Sequence, residues 1–117
     1  MSDDIDLWSE IQQKTRQLDV CVRELRKSGT AYAEAERAYK VKLREVCLRL
    51  RAEKDMPVGL IDKTCYGVPE VADLRFQRDV AETVYRANME AINSIKLQLR
   101  LVDAQLSREW TTPQAAM

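Results

Sequence analysis

Apolar side chains recur along this chain at alternating steps of three and four residues, in two long stretches. The first runs Trp8, Ile11, Thr15, Leu18, Val22, Leu25, Gly29, Tyr32, Glu36, Tyr39, Leu43, Val46, Leu50. The second runs Val71, Leu74, Arg78, Ala81, Tyr85, Asn88, Ile92, Ile95, Leu99, Val102, Leu106. This is the period of a helix packing lengthwise along a seam. It predicts an all-α fold, a long antiparallel helical hairpin. The expected parts are a helix over about 4–54, a connecting loop over about 55–69, a helix over about 70–110 and a frayed tail over 111–117.

Local signals agree with these bounds. Asp3 and Asp4 suit the N-terminal end of the first helix, where acidic groups complement the helix dipole. Ser28-Gly29-Thr30 is the one internal warning, since a mid-helix glycine costs about 1 kcal/mol relative to alanine. The three-four alternation passes through it unbroken, so a continuous or slightly bent helix is expected, with a break and three helices as the alternative. At Asp55-Met56-Pro57-Val58-Gly59 the helix must end, because Pro57 disfavours helical geometry before it and Gly59 suits a turn. Leu60 to Cys65 can close one short helical turn. Pro69 fits the first turn of the next helix, where its missing N–H costs nothing. Thr111, Thr112 and Pro113 end that helix.

A short connection makes the helices antiparallel. Pivoting about its centre sets Leu43 against Ala81, Tyr39 against Tyr85, Gly29 against Ile95, Leu25 against Leu99 and Leu18 against Leu106. The polar seam residues Glu36 and Asn88 then meet, which would fix the alignment. Val20, Val41, Leu48, Phe76, Val80, Val84, Leu97 and Leu101 fall off the seam. So many apolar groups on a thin hairpin call for a further partner surface. Dimerisation into a four-helix bundle is the simplest expectation.

Composition narrows the chemistry. The chain has 117 residues, enough for one small domain. Charged residues make up 32%, with Gly and Pro at three each, as long exposed helices require. Formal net charge is zero, so the whole chain carries no bias toward nucleic acid or membrane. Cys21, Cys47 and Cys65 are odd in number and form no CxxC, which reads as reduced thiols. Histidine is absent, which removes His-based metal sites and His acid/base catalysis. GxGxxG and GxxxxGK[ST] are also absent. No nucleophile or poised base stands out, so no enzyme, no cofactor and no metal is expected. No stretch has the apolar length of a membrane span and no signal-like start is present, which leads to a cytoplasmic expectation.

Charge is uneven locally. Arg37, Lys40, Lys42, Arg44, Arg49, Arg51 and Lys54 stand against only Glu45 and Glu53, and Arg37, Arg44 and Arg51 repeat every seven residues. This stripe could meet phosphates or an acidic partner, or could be a solvated face pairing with acids across the hairpin. Tyr32, Tyr39 and Tyr85 sit at seam spacing and read as core. Met56, Leu60, Ile61 and Tyr66 in the connection are either a second interaction element or a cap on the end of the bundle. The candidate partner-binding residues are therefore Arg37, Lys40, Arg44, Arg51, Met56, Leu60, Ile61 and Tyr66.

Several stretches resemble a family of small helical-hairpin proteins of temperate phages and prophages of Gram-positive bacteria. They include Leu50-Arg51-Ala52-Glu53, Pro57-Val58-Gly59-Leu60-Ile61, Val71-Ala72-Asp73-Leu74-Arg75 and Arg78-Asp79-Val80-Ala81-Glu82. Tyr85, Glu90-Ala91-Ile92-Asn93, Lys96-Leu97-Gln98-Leu99-Arg100 and Arg108-Glu109-Trp110 continue the likeness, which covers roughly residues 32–110. The family carries no catalytic residues to transfer. The resemblance implies a phage-type protein of the bacterial host cytoplasm that binds a macromolecule. A modulator or inhibitor of a host enzyme such as a defence nuclease is the first expectation. A nucleic-acid accessory protein of replication or recombination, and an oligomeric sponge for a small anion, are the others.

Overall fold

The computed structural model describes the backbone of residues 2–116 and the side chains of residues 5–110. Among these residues there are three helices and no strand: α1 (Ser2–Lys54), α2 (Val58–Cys65) and α3 (Pro69–Ala116). The fold is an all-α helical hairpin. α1 continues through Ser28-Gly29-Thr30 without a break. α3 carries on past Thr111–Pro113 to Ala116, where the sequence predicts an end. The side chains of Asp3 and Asp4, expected at the first cap, lie outside the described residues.

The turn after α1 is built differently from expectation. Asp55, with φ 49°, takes the left-handed position just after the helix. Asp is one of the few residues other than glycine that tolerates it. Gly59 instead lies inside α2, and no glycine among the described residues has positive φ. Pro57, extended at φ −57° and ψ 143°, turns the chain into α2. Its carbonyl accepts the N–H groups of Leu60 and Ile61, both at 3.0 Å. α2 is thus an eight-residue helix where a loop with one helical turn was expected. α3 begins at Pro69 as predicted, and the Val68 carbonyl accepts the Ala72 N–H at 2.9 Å.

The chain divides into two compact units. One comprises Lys27–Arg86, the other Met1–Arg26 with Ala87–Met117. In the first, Tyr39, Val46, Leu50, Ile61, Cys65 and Val71 form the buried cluster, with Leu43, Cys47, Met56, Val68 and Leu74 packed against it. Ile61 and Cys65, four residues apart, share the face that α2 turns inward. Val46 and Val71 retain no exposure. In the second unit, Leu7, Ile92, Ile95 and Val102 are buried. There Lys14 donates to Gln98 at 2.8 Å and Asn88 to the Glu24 carbonyl at 3.3 Å, so the pairing is antiparallel.

Two details of the seam differ from the reading above. In the first turns of α1, Leu7 is buried and Lys14 half-buried, while Trp8 and Thr15 face solvent. A straight helix drifts about 20° per heptad against a strict seven-residue repeat, which moves the contact line by one residue toward the chain start. The register is also displaced. Tyr85 packs on Tyr32, not Tyr39, with ring centroids 5.9 Å apart. Tyr39 instead lies under the Arg78 guanidinium, 4.7 Å from the ring centre. Tyr85 has therefore slid one heptad along α1. The cause is α2, which runs back along α1 and moves the pivot to the Asp55–Pro57 turn. Glu36 and Asn88 accordingly find separate partners: Glu36 pairs with Lys40 at 3.6 Å, and Asn88 with the Glu24 backbone.

Candidate partner-binding groove

α2 lies beside residues 40–51 of α1, and a groove of about 610 Å³ runs between them. Leu43, Cys47, Leu48, Val58 and Ile61 supply its apolar surface. Lys40, Arg44 and Arg51 stand along the α1 side and Asp62 on the α2 side. On α1 the cations are spaced i, i+4 and i+11, which places them on one helical face. The apolar members are incompletely covered. Leu48 is 59% exposed and Val58 58% exposed.

The eight candidate residues separate into groups. Lys40, Arg44, Arg51 and Ile61 all line the groove, although Ile61 is also a core residue at 4% exposure. Arg37 is exposed on the same stripe but is not among the lining residues. Met56 packs half-buried on the core cluster, as a cap on that end would. Leu60 is exposed away from the groove. Tyr66 is exposed and lies 5.4 Å from the Arg75 guanidinium, a cation–π contact on the outer surface. Of the groove's apolar residues the candidate list held Ile61 but not Val58, which joins the lining only because residues 58–65 are helical. Leu48, off the seam, was the available signal.

Electrostatics at the groove are those of a solvated surface. The Lys40–Glu36 contact is an exposed i, i+4 pair of the kind worth only a few tenths of a kcal/mol, so it leaves Lys40 available to an incoming acid. On the core side, burial pushes the Cys65 thiol above its ordinary range, reinforced by its contacts with Cys47 and by the charge of Asp62. Cys65 also donates to the Asp62 carbonyl at 3.6 Å. A thiol held protonated is a poor nucleophile, so this pair is part of the packing between α1 and α2. Among the described residues no group of three or more Cys, Asp or Glu could hold a metal ion.

Other apolar hollows are smaller. Phe76, Val80 and Val84 border one of about 340 Å³ on α3, beside Asp79 and Thr83. Ile5, Trp8, Leu106 and Trp110 border one of about 250 Å³ in the other unit. Among the described residues no helix is long and apolar enough to cross a membrane. No protein-family model, curated protein or solved structure matches the chain.

Proposed function

We propose that this chain is a non-enzymatic binding protein that engages a protein partner through the α1–α2 groove. The observation that carries this reading is the groove itself, where more than half-exposed Leu48 and Val58 lie beside three cations. Exposed apolar surface rimmed by charge is the composition of an interaction site. The phage-type resemblance sharpens the reading to a cytoplasmic modulator or inhibitor of a host enzyme, such as a defence nuclease. Self-association into a dimer uses other apolar surface, for which Phe76, Val80 and Val84 are available.

Nucleic-acid accessory binding through Arg37, Lys40, Arg44 and Arg51 is the competing reading, and the heptad spacing of the three arginines favours it. Against it, no aromatic residue lines the groove to stack a base, and Asp62 would repel a phosphate there. A pull-down of the full chain from a bacterial host lysate decides between them. One stoichiometric protein, insensitive to nuclease and lost on Arg44→Glu with Arg51→Glu, supports the proposal. Retention of DNA or RNA that fades with salt, with no protein partner, overturns it.

A further inference from the structure

We infer that the groove's occupant is an acidic amphipathic helix of the partner, about three turns long. This rests on the protein-binding reading above and gives that partner a chemistry.

Length comes first. Lys40 and Arg51 are eleven positions apart on one continuous helix, a span of about 16 Å. A single phosphate or small carboxylate reaches one of these cations, or two at most, so a compact anion leaves the row largely unused. A segment laid along the groove meets all three. Charge comes second. The lining holds three cations and one acid, Asp62, with Lys40 carrying an exposed pair to Glu36, while the chain as a whole is neutral. The local excess selects carboxylates and raises the rate of encounter with an acidic segment. The apolar surface comes third. Leu48 of α1 and Val58 of α2 line it as exposed side chains, with Leu43 and Cys47 half-buried. Such a trough takes Leu, Ile, Met or Phe side chains recurring at three and four residues, the helix-in-groove mode of recognition. An extended strand has no exposed sheet edge to join, since the described residues contain no strand.

The test is selection from a random-peptide display library of about 16 residues per insert against the full chain. The expected result is enrichment of inserts in which Asp or Glu alternate with large apolar residues at helical spacing. A synthetic copy of an enriched insert should gain helicity on binding and lose affinity with added salt. Arg44→Glu with Arg51→Glu should weaken it roughly tenfold or more, and Leu48→Ser should weaken it roughly tenfold. Arg44→Lys with Arg51→Lys should restore most of the binding. All these positions are exposed, and circular dichroism checks that each variant keeps its helicity. Neutral or basic inserts, no enrichment, or binding indifferent to the charge reversals would overturn the inference. So would self-association of the chain abolished by the same reversals, because the occupant would then be a second copy. If the lysate partner depends on Arg44 and Arg51 but no acidic helix is selected, the helix inference falls and the protein-binding reading stands. If acidic helices are selected but the lysate partner ignores the groove, the protein-binding reading falls and the inference about that partner falls with it.

Discussion

The Tyr85 ring lies against the backbone of Gly29, so that a β-carbon built on that glycine would stand 3.3 Å from Tyr85 Cε1. The same ring tilts 35° against Tyr32. Two effects oppose each other at this position. Alanine gains about 1 kcal/mol of helix propensity, while its methyl must displace the ring by a few tenths of an ångström. Tyr85 is only half-buried and can give way. Gly29→Ala should therefore raise the thermal midpoint by a few degrees. Gly29→Val adds a branched group that the ring cannot clear, and should lower stability by about 1–3 kcal/mol. Thermal unfolding followed by circular dichroism separates the two.

Val46 and Val41 are chemically identical and differ in burial, at 0% and 61% exposure. Val46→Ala removes two methyl groups from the cluster joining α1, α2 and α3 and should cost about 2 kcal/mol. Val41→Ala should change stability by less than about 0.5 kcal/mol. Urea denaturation of the two variants checks both. Equal effects would mean that Val41 is covered, as in an oligomer.

Asp55 holds the left-handed turn between α1 and α2. Asp55→Gly relieves that conformation and should be neutral or stabilising by up to about 1 kcal/mol. Asp55→Val should destabilise by about 1–2 kcal/mol, because a β-branched side chain fits that region poorly. Both follow from chemical denaturation curves.

Cys65 makes stability depend on alkaline pH. Its folded-state pKa is raised, mainly by burial, so the native chain holds the thiol proton more tightly than the unfolded chain does. This contribution is fully present below the ordinary thiol pKa of 9.0. It is lost as pH rises through the folded value, as the unfolded state ionises first. Stability should fall above about pH 9, and Cys65→Ala should flatten that fall. In alkylation of the native protein, Cys65, 1% exposed, should react after Cys21 and Cys47.

Trp8 and Trp110 are 56% and 63% exposed and border one apolar hollow. Their fluorescence in a monomer should be that of water-exposed indole and readily quenched by acrylamide. A blue shift with increasing protein concentration would show that self-association covers them. Quenching unchanged over the same concentrations would mean that no self-association covers them.

The helical class and the second seam were legible because every position from Val71 to Leu106 in the three-four series is half-buried or buried. The register was not, for a reason inherent in the pattern. A slide of seven residues carries each seam position onto another seam position, so periodicity cannot choose between Tyr32 and Tyr39 as the neighbour of Tyr85. The connection chooses, and its α2 was only half visible in the sequence. The chance alignment of Glu36 with Asn88 reinforced the wrong choice. The basic residues of the groove stand out from charge alone, whereas Val58 and Asp62, both exposed, reach its lining only because residues 58–65 are helical.

α2 is joined to the rest by few inward side chains, chiefly Ile61 and Cys65, after a turn of three residues. The α1–α3 pairing uses neither Val58 nor Asp62. Both positions are exposed, so substitutions there should cost little in folding while reshaping one wall of the groove. The hairpin is in this sense one frame with one replaceable wall: substitutions on the exposed side of α2 would alter the groove and leave the buried cluster as it is.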